Sequence, residues 1–306
     1  MRAFIFPGQG SQSVGMGKAL AEASATARML FEEVDEALGQ HLTRLMAEGP
    51  IEELTLTENA QPAIMANALA TFRVSEIGIA KADFVAGHSL GEYSALAAAG
   101  AFDVVTAARL LKLRGQAMQQ AVPVGEGAMA ALLGADLEIA RAVAEAAAQG
   151  EVCTVANDND PSQVVISGHR GAVERALDIA REKGAKRALL LPVSAPFHSP
   201  LMEPAARAME QALADTEIAR PAVGLYANVT AAPVYDPAEI RRLLVEQVTG
   251  MVRWRESVAA MAEAGVTHFV EFGGKVLSPM VKRIAPDARV TSVVTMDDID
   301  ALVKEI

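Results

Sequence analysis

One cysteine, Cys153, stands in the 306 residues. That excludes an internal disulfide and offers no cysteine cluster for a metal. Long apolar runs are missing as well. Hydrophobic residues make up 51% of the chain, yet Gly, Pro or charge breaks every run before the roughly 18 residues that a membrane span needs. The opening Met1-Arg2-Ala3-Phe4-Ile5-Phe6-Pro7 is too short, and turns glycine-rich too soon, to read as a secretory leader. Positive charge is scarce: 27 Lys and Arg against 38 Asp and Glu give a net charge of −11. A broad nucleic-acid surface is not expected from that balance, and an acidic partner would have to find a local basic patch. There is no internal repeat, no low-complexity linker and no Gly-Lys-Ser/Thr of a P-loop. The expectation left standing is a soluble cytoplasmic protein, long enough for one large domain or two smaller ones.

What is present alternates strand and helix. Residues 2–6 read as a strand, 16–38 as mostly helical, 61–78 as a helix, 83–87 as a strand, then 90–99 and 104–121 as helices. That rhythm predicts a parallel sheet covered by helices on both faces. Between about 125 and 194 it changes. A strand at 127–133 and a helix at 136–149 are followed by strands at 151–156 and 163–167. Asn157-Asp158-Asn159-Asp160-Pro161 reads as the turn between those two strands. A helix at 170–183 and a strand at 186–191 complete a βαββαβ order, the ferredoxin-like pattern. The predicted division is a core of residues 1–124 and 195–306 carrying an inserted small domain of residues 125–194. The core resumes with a helix at 201–213, a strand near 222–227, a helix at 255–264 and a strand at 267–272.

Gly87-His88-Ser89-Leu90-Gly91 falls where a strand turns into a helix. Gly-x-Ser-x-Gly in that context is the nucleophile-elbow signature. A tight turn lifts the serine into the open, and the glycines keep neighbouring Cβ atoms from clashing. The helix N-terminus supplies free N–H groups and a positive dipole end for an oxyanion. The plainer reading is a helix cap between two turn glycines. Strand before and helix after favour Ser89 as a nucleophile.

A serine needs a base. His88 is adjacent, but consecutive side chains in a sharp turn point apart. His41 reads as solvated, His169 as a turn residue and His268 as a packing residue in a strand. His198 lies between Pro196 and Pro200, two rigid points, in the loop that resumes the core after the insertion. Such loops often line the cleft between domains, so position favours His198.

The helix from 104 to 121 holds an oddity. At about 100° per residue, Arg109, Lys112 and Gln116 share a polar face, with Val105 its one blemish, while Leu110, Leu111, Met118 and Ala121 lie opposite. Arg114 falls inside that apolar stripe. A buried guanidinium is costly unless paired. Its partner is either a fixed internal carboxylate or a carboxylate on a substrate, which the planar fork suits; periodicity leaves both open. Near the N-terminus, Phe6-Pro7-Gly8-Gln9-Gly10-Ser11-Gln12 follows a strand. Ser13 stands where a dinucleotide loop needs its third glycine, and no strand ending in an acid follows about 20 residues on. Such a loop can instead bring an N–H to the elbow as half of an oxyanion hole.

FPGQGSQ (6–12), QPA (61–63), GHSLGEYSAL (87–96), LKLRGQAM (111–118), NDNDPSQVVISG (157–168), PVSAPFHSPLM (192–202) and EFGGKVL (271–277) occur in this order. Together they resemble the malonyl-CoA:acyl carrier protein transacylases, across nearly the whole chain. The resemblance implies an α/β-hydrolase-like core with a ferredoxin-like insertion. It implies Ser89 as nucleophile, His198 as base, and backbone N–H groups of Gln9 and Leu90 as oxyanion hole. Arg114 would hold the malonyl carboxylate, and the backbone carbonyl of Gln247 would orient the histidine, so no triad acid is expected. Gln61 and Asn157 match positions near the pocket. Phe197 before the histidine resembles malonyl-selective acyltransferase domains of polyketide synthases. Gly273-Gly274-Lys275 is one residue shorter than the usual family loop.

The implied reaction moves malonyl from CoA to the phosphopantetheine thiol of acyl carrier protein through a malonyl-serine, with no metal or cofactor and a monomeric enzyme. Lys183, Lys186, Arg187, Lys275, Lys282 and Arg283 are the candidate docking charges for the acidic carrier protein. Three rivals remain: a serine esterase or thioesterase, a carrier-protein binding module without catalysis, and an acyltransferase serving a polyketide synthase.

Overall fold

The computed structural model describes residues 1–193 and 195–306. Ser194, where the sequence reading closes the insertion, lies outside the described residues. In chain order the strands are β1 (Arg2–Phe6), β2 (Phe84–Gly87), β3 (Gly127–Leu133), β4 (Cys153–Asp160), β5 (Gln163–His169), β6 (Arg187–Leu190), β7 (Gly224–Ala227), β8 (Ala232–Val234), β9 (His268–Phe272) and β10 (Arg289–Val293). They form two sheets, ordered β10-β9-β1-β2-β7-β8 and β4-β5-β3-β6. The first is parallel except where β8 turns back along β7. The second is antiparallel throughout.

Central parallel strands are buried on both faces and so carry unbroken apolar runs. Ala3, Phe4, Ile5 and Phe6 of β1 are all fully buried. Phe4 and Phe6 gather with Phe72 and Phe272 on one face of the sheet, with Phe4 and Phe72 edge-on to Phe272 at 5.1 and 5.2 Å. The small sheet alternates instead. Ala128, Ala130 and Leu132 of β3 pack with the helices Leu137–Ala148 and Arg170–Glu182, while Met129 and Ala131 join the main core. Period-2 alternation thus glues one sheet to two different partners.

The sequence reading needs correction at four places. Residues 157–160 are not a turn: β4 runs through them, and only Pro161 and Ser162 turn. Tertiary contacts override their turn propensity. The Asp158 N–H donates to Val252 O at 3.0 Å and the Val252 N–H to Ala156 O at 2.8 Å, so the strand end is zipped to the large body. Arg255 and Arg283 then neutralise the buried carboxylates of Asp158 and Asp160. The helix read from 61 spans Thr57–Val74, with Pro62 inside it. Proline usually marks a first turn, but here packing extends the helix four residues earlier. The 16–38 segment is two helices, Lys18–Ala23 and Ala25–Leu38, divided at Ser24, whose side chain caps the second. The helix Pro237–Thr249, which carries Gln247, is absent from the sequence reading, as are β8 and β10.

Candidate active site

β1, β2 and β7 are parallel, so their C-terminal ends open on one edge, the usual place for a site in an open α/β sheet. The elbow sits there between β2 and the helix Gly91–Ala98. A Cβ on Gly87 would lie 1.9 Å from the Gly91 carbonyl carbon, and one on Gly91 would lie 2.3 Å from Phe6 O. Both positions therefore require glycine. Ser89 itself has φ 54°, a left-handed conformation that a non-glycine residue adopts at a cost of about 1 kcal/mol or more. Its N–H is held by Asn228 Oδ1 at 2.8 Å, just past the end of β7.

Ser89 Oγ lies 2.8 Å from His198 Nε2, and His198 Nδ1 lies 2.9 Å from the Gln247 carbonyl oxygen. A carbonyl oxygen only accepts, so Nδ1 carries the proton and Nε2 is left to accept from Ser89. Among the described residues no acid hydrogen-bonds the imidazole. Burial, and then the charge of Arg114, push His198 down to about 3, so it is neutral at working pH. It can take a proton from Ser89.

Arg114 is 1% exposed. Its place follows from a close helix crossing. A Cβ on Gly115 would lie 2.5 Å from Glu58 Cα, so glycine lets the helix Val104–Gln120 approach the helix Thr57–Val74 backbone to backbone. That brings Arg114 Nη1 to donate to Gln61 Oε1 at 2.7 Å. Nη2 donates to Gln247 Oε1 at 2.8 Å and to Ser89 Oγ at 3.1 Å. Among the described residues no carboxylate pairs directly with it, and its Nε has no partner. The fixed internal carboxylate that periodicity left open is not there as an ion pair.

Gln9, Gln61, Ser89, Leu90, Asn157, Phe197 and His198 all line one cavity of about 280 Å³, whose apolar wall includes Met118, Met129 and Leu191. Arg114 reaches it through Gln61 and Ser89. The Gln9 and Leu90 backbone N–H groups donate to no acceptor among the described residues, so both can receive an oxyanion. His88 turns away from Ser89 to Asn159 Oδ1 at 2.8 Å and packs on Trp254. His169 accepts from the Val152 N–H, and His268 bonds Thr291 within the sheet; neither touches the cavity. His41 is exposed.

Two polar residues of this neighbourhood escape the sequence reading. Glu92 is buried: its Oε1 accepts from the Asn228 N–H at 2.7 Å and its Oε2 from Gln247 Nε2. Burial pushes its carboxyl up to about 8, against those donors and the Arg114 charge. A signal existed, since Glu92 is the one charged residue of GEYSALAA. Asn228 gave none, being a lone polar residue after a short strand. Of the candidate docking charges, Lys183, Lys186, Arg187, Lys275 and Lys282 are exposed. Arg283 is committed to the buried Asp160 at 2.7 Å and is not a free surface charge. After Gly273 and Gly274 the chain turns around Glu271, whose carboxylate accepts from the Val276, Leu277 and Ser278 N–H groups.

A serine hydrogen-bonded to a neutral histidine, at the edge of a mostly parallel sheet, has the parts for acyl transfer, and residues 3–277 match the family model described as the acyl transferase domain. The malonyl CoA-acyl carrier protein transacylase of Bacillus subtilis is 48% identical over 285 residues, which cover 92% of this chain and 90% of that one. Its counterpart in Escherichia coli K12 is 46% identical over 284 residues, 92% of each chain. The crystal structure of acyl-carrier-protein-S-malonyltransferase from Bartonella henselae superposes with a TM-score of 0.97 at 52% identity, covering 99% of this chain and 98% of that one. The chain belongs to the malonyl CoA-acyl carrier protein transacylase family.

Proposed function

We propose that this protein transfers a malonyl group from malonyl-CoA to the phosphopantetheine thiol of acyl carrier protein, supplying fatty-acid synthesis. The observation that carries the reading is the buried Arg114, charged, without a carboxylate of its own and 3.1 Å from Ser89 Oγ. A carboxylated acyl group bound there places its thioester carbonyl beside the serine.

Ser89 Oγ gives its proton to His198 Nε2 and attacks the thioester carbon. The Gln9 and Leu90 N–H groups hold the oxyanion. The C–S bond breaks, CoA takes the proton from His198, and a malonyl-serine ester remains. The pantetheine thiol then gives its proton to His198 and attacks the ester. The C–O bond breaks and the proton returns to Ser89. Thiolate is a good leaving group, and the reaction as written calls on no metal or cofactor. Malonate on Arg114 offsets the positive charge that depresses His198, so the base strengthens when the right acyl group is bound. Gln247 orients His198 through its carbonyl, Gln61 braces Arg114, and Asn157 and Phe197 shape the acyl cavity, Phe197 excluding bulk at the malonyl α-carbon.

The architecture supports a division into an α/β-hydrolase-like core, 1–124 with 195–306, and a ferredoxin-like insertion, 125–194. The order β4-β5-β3-β6 with both helices on one face supports that second assignment. Lys183, Lys186, Arg187, Lys275 and Lys282 are the docking charges for the acidic carrier protein, and the enzyme works as a monomer. No helix among the described residues is long and apolar enough to cross a membrane.

Intact-protein mass spectrometry after brief mixing with malonyl-CoA tests the function. One malonyl adduct, absent in Ser89→Ala, sparse with acetyl-CoA and discharged by carrier protein, is the expected result. An adduct that water removes as fast as it forms would make the protein a hydrolase. Carrier binding without any adduct would make it a binding module. Discharge only by a polyketide carrier protein would reassign the acceptor.

A further inference from the structure

Arg114 raises a problem of anchoring. A guanidinium this deeply buried needs hydrogen-bond partners to hold it, yet a carboxylate placed directly on its fork would occupy the donors that a substrate carboxylate must use. The structure resolves this with one intervening amide. Gln247 Oε1 accepts from Arg114 Nη2 at 2.8 Å, and Gln247 Nε2 donates to Glu92 Oε2. Ser89 O lies 3.0 Å and Asn228 Oδ1 3.2 Å from the same nitrogen. Three acceptors therefore surround the two N–H groups of Nε2 and a donor faces Oε1, so only one orientation of the amide fits its surroundings. Glu92 is the only carboxyl among those acceptors, and its other oxygen accepts from the Asn228 N–H.

We infer that Glu92 is a positioning residue for acyl-group selection: through the Gln247 amide it holds Arg114 beside Ser89 and leaves the guanidinium free to bind a substrate carboxylate. The inference rests on the malonyl-transfer reading above. Glu92 belongs to the first turn of the helix that begins just after Ser89, so the serine and the carboxyl that anchors Gln247 are placed by one rigid element. Both Glu92 oxygens accept, so an amide there would set a donor against Gln247 Nε2 or against the Asn228 N–H. Either way the network that fixes the Gln247 amide loosens, and the guanidinium loses its anchor.

The test compares loading of Ser89 by malonyl-CoA with loading by p-nitrophenyl acetate, a neutral acyl donor, in wild type, Glu92→Gln, Arg114→Ala and the double variant. Thermal melts check that each variant folds. Glu92→Gln is expected to lose about tenfold more rate with malonyl-CoA than with the neutral ester, and less than about twofold further malonyl loading once Arg114 is gone. Equal losses with both donors, or losses that multiply in the double variant, would reduce Glu92 to a packing residue and overturn the inference. Gln247→Met cuts the same bridge from the amide side and is held to the same split, so a Glu92→Gln protein that does not fold still leaves a decision. A wild-type protein that takes no malonyl at all would instead overturn the transfer reading.

Discussion

The two sheets handle burial in opposite ways. The large one packs aromatic rings on its core face and admits charged and polar groups at its C-terminal edge, where Arg114, Glu92, His198 and Gln247 are all nearly inaccessible. The small one is built on little else than small aliphatic residues. Ala128, Ala130, Ala140, Ala144, Ala147, Ala172, Ala176 and Ala180 fill its helix-facing core, with no aromatic among them. Parallel strands deliver several loop ends to one edge, so a site can be assembled there. Antiparallel strands alternate direction and deliver only walls. Met129 and Asn157 contribute such walls to the cavity. The difference teaches that chemistry follows strand direction, while the small unit contributes shape.

That contrast can be broken on purpose. The largest effect is expected from Ser89→Ala, which should lower malonyl loading by about 10³-fold or more; rapid-quench mass spectrometry reads it, and a surviving adduct would point to another nucleophile. Arg114→Ala should lower malonyl loading by about 10²-fold, the worth of a buried charge-assisted contact. Acetyl loading should hold or rise, and unchanged selectivity would remove Arg114 from substrate recognition. Arg255→Leu strands the buried Asp158 at the seam between the sheets. We expect a loss of about 2 kcal/mol in denaturant unfolding with acyl selectivity kept; altered selectivity would mean that the seam shapes the pocket. Ala144→Gly, inside the small unit, should cost about 1 kcal/mol and leave the loading rate alone, and a matching fall in rate would blur the division drawn above.

The smallest expected change is none. Burial, and then the Arg114 charge, push His198 down from its ordinary 6.5 to about 3, so the imidazole stays neutral above that value. Malonyl loading should run flat as pH falls through 6.5, and a half-maximal point near 6.5 would show an ordinary, solvated histidine. Stability carries the opposite signature. The unfolded chain binds a proton near 6.5 that the folded one refuses, so the stabilisation present above that pH should fade as pH drops toward 3.

Much of the site was legible because local chemistry wrote it. Two glycines around Ser89 answer to a turn that tolerates no Cβ, and an arginine in an apolar helical stripe betrays a buried cation whatever its partner. The alternation of strands and helices identified a parallel sheet, then an order of elements that matches the small one. Where the reading failed, distant contacts had won over local preference. The turn-like 157–160 segment is held extended by Val252, Arg255 and Arg283, residues about a hundred positions away that no local propensity reports. The helix around Pro62 starts early because Gly115 brings another helix against it.

The sequence by itself determined the setting of Ser89, the class of fold and the presence of a buried arginine, because each depends on residues a few positions apart. Only the tertiary structure decided which histidine meets Ser89 and which way the Gln247 amide faces. It also decided that Glu92 meets Arg114 only through the Gln247 amide. Those are relations between side chains from four separate segments, and hydrogen-bond geometry exists only once folding has brought them within 3 Å or so of one another.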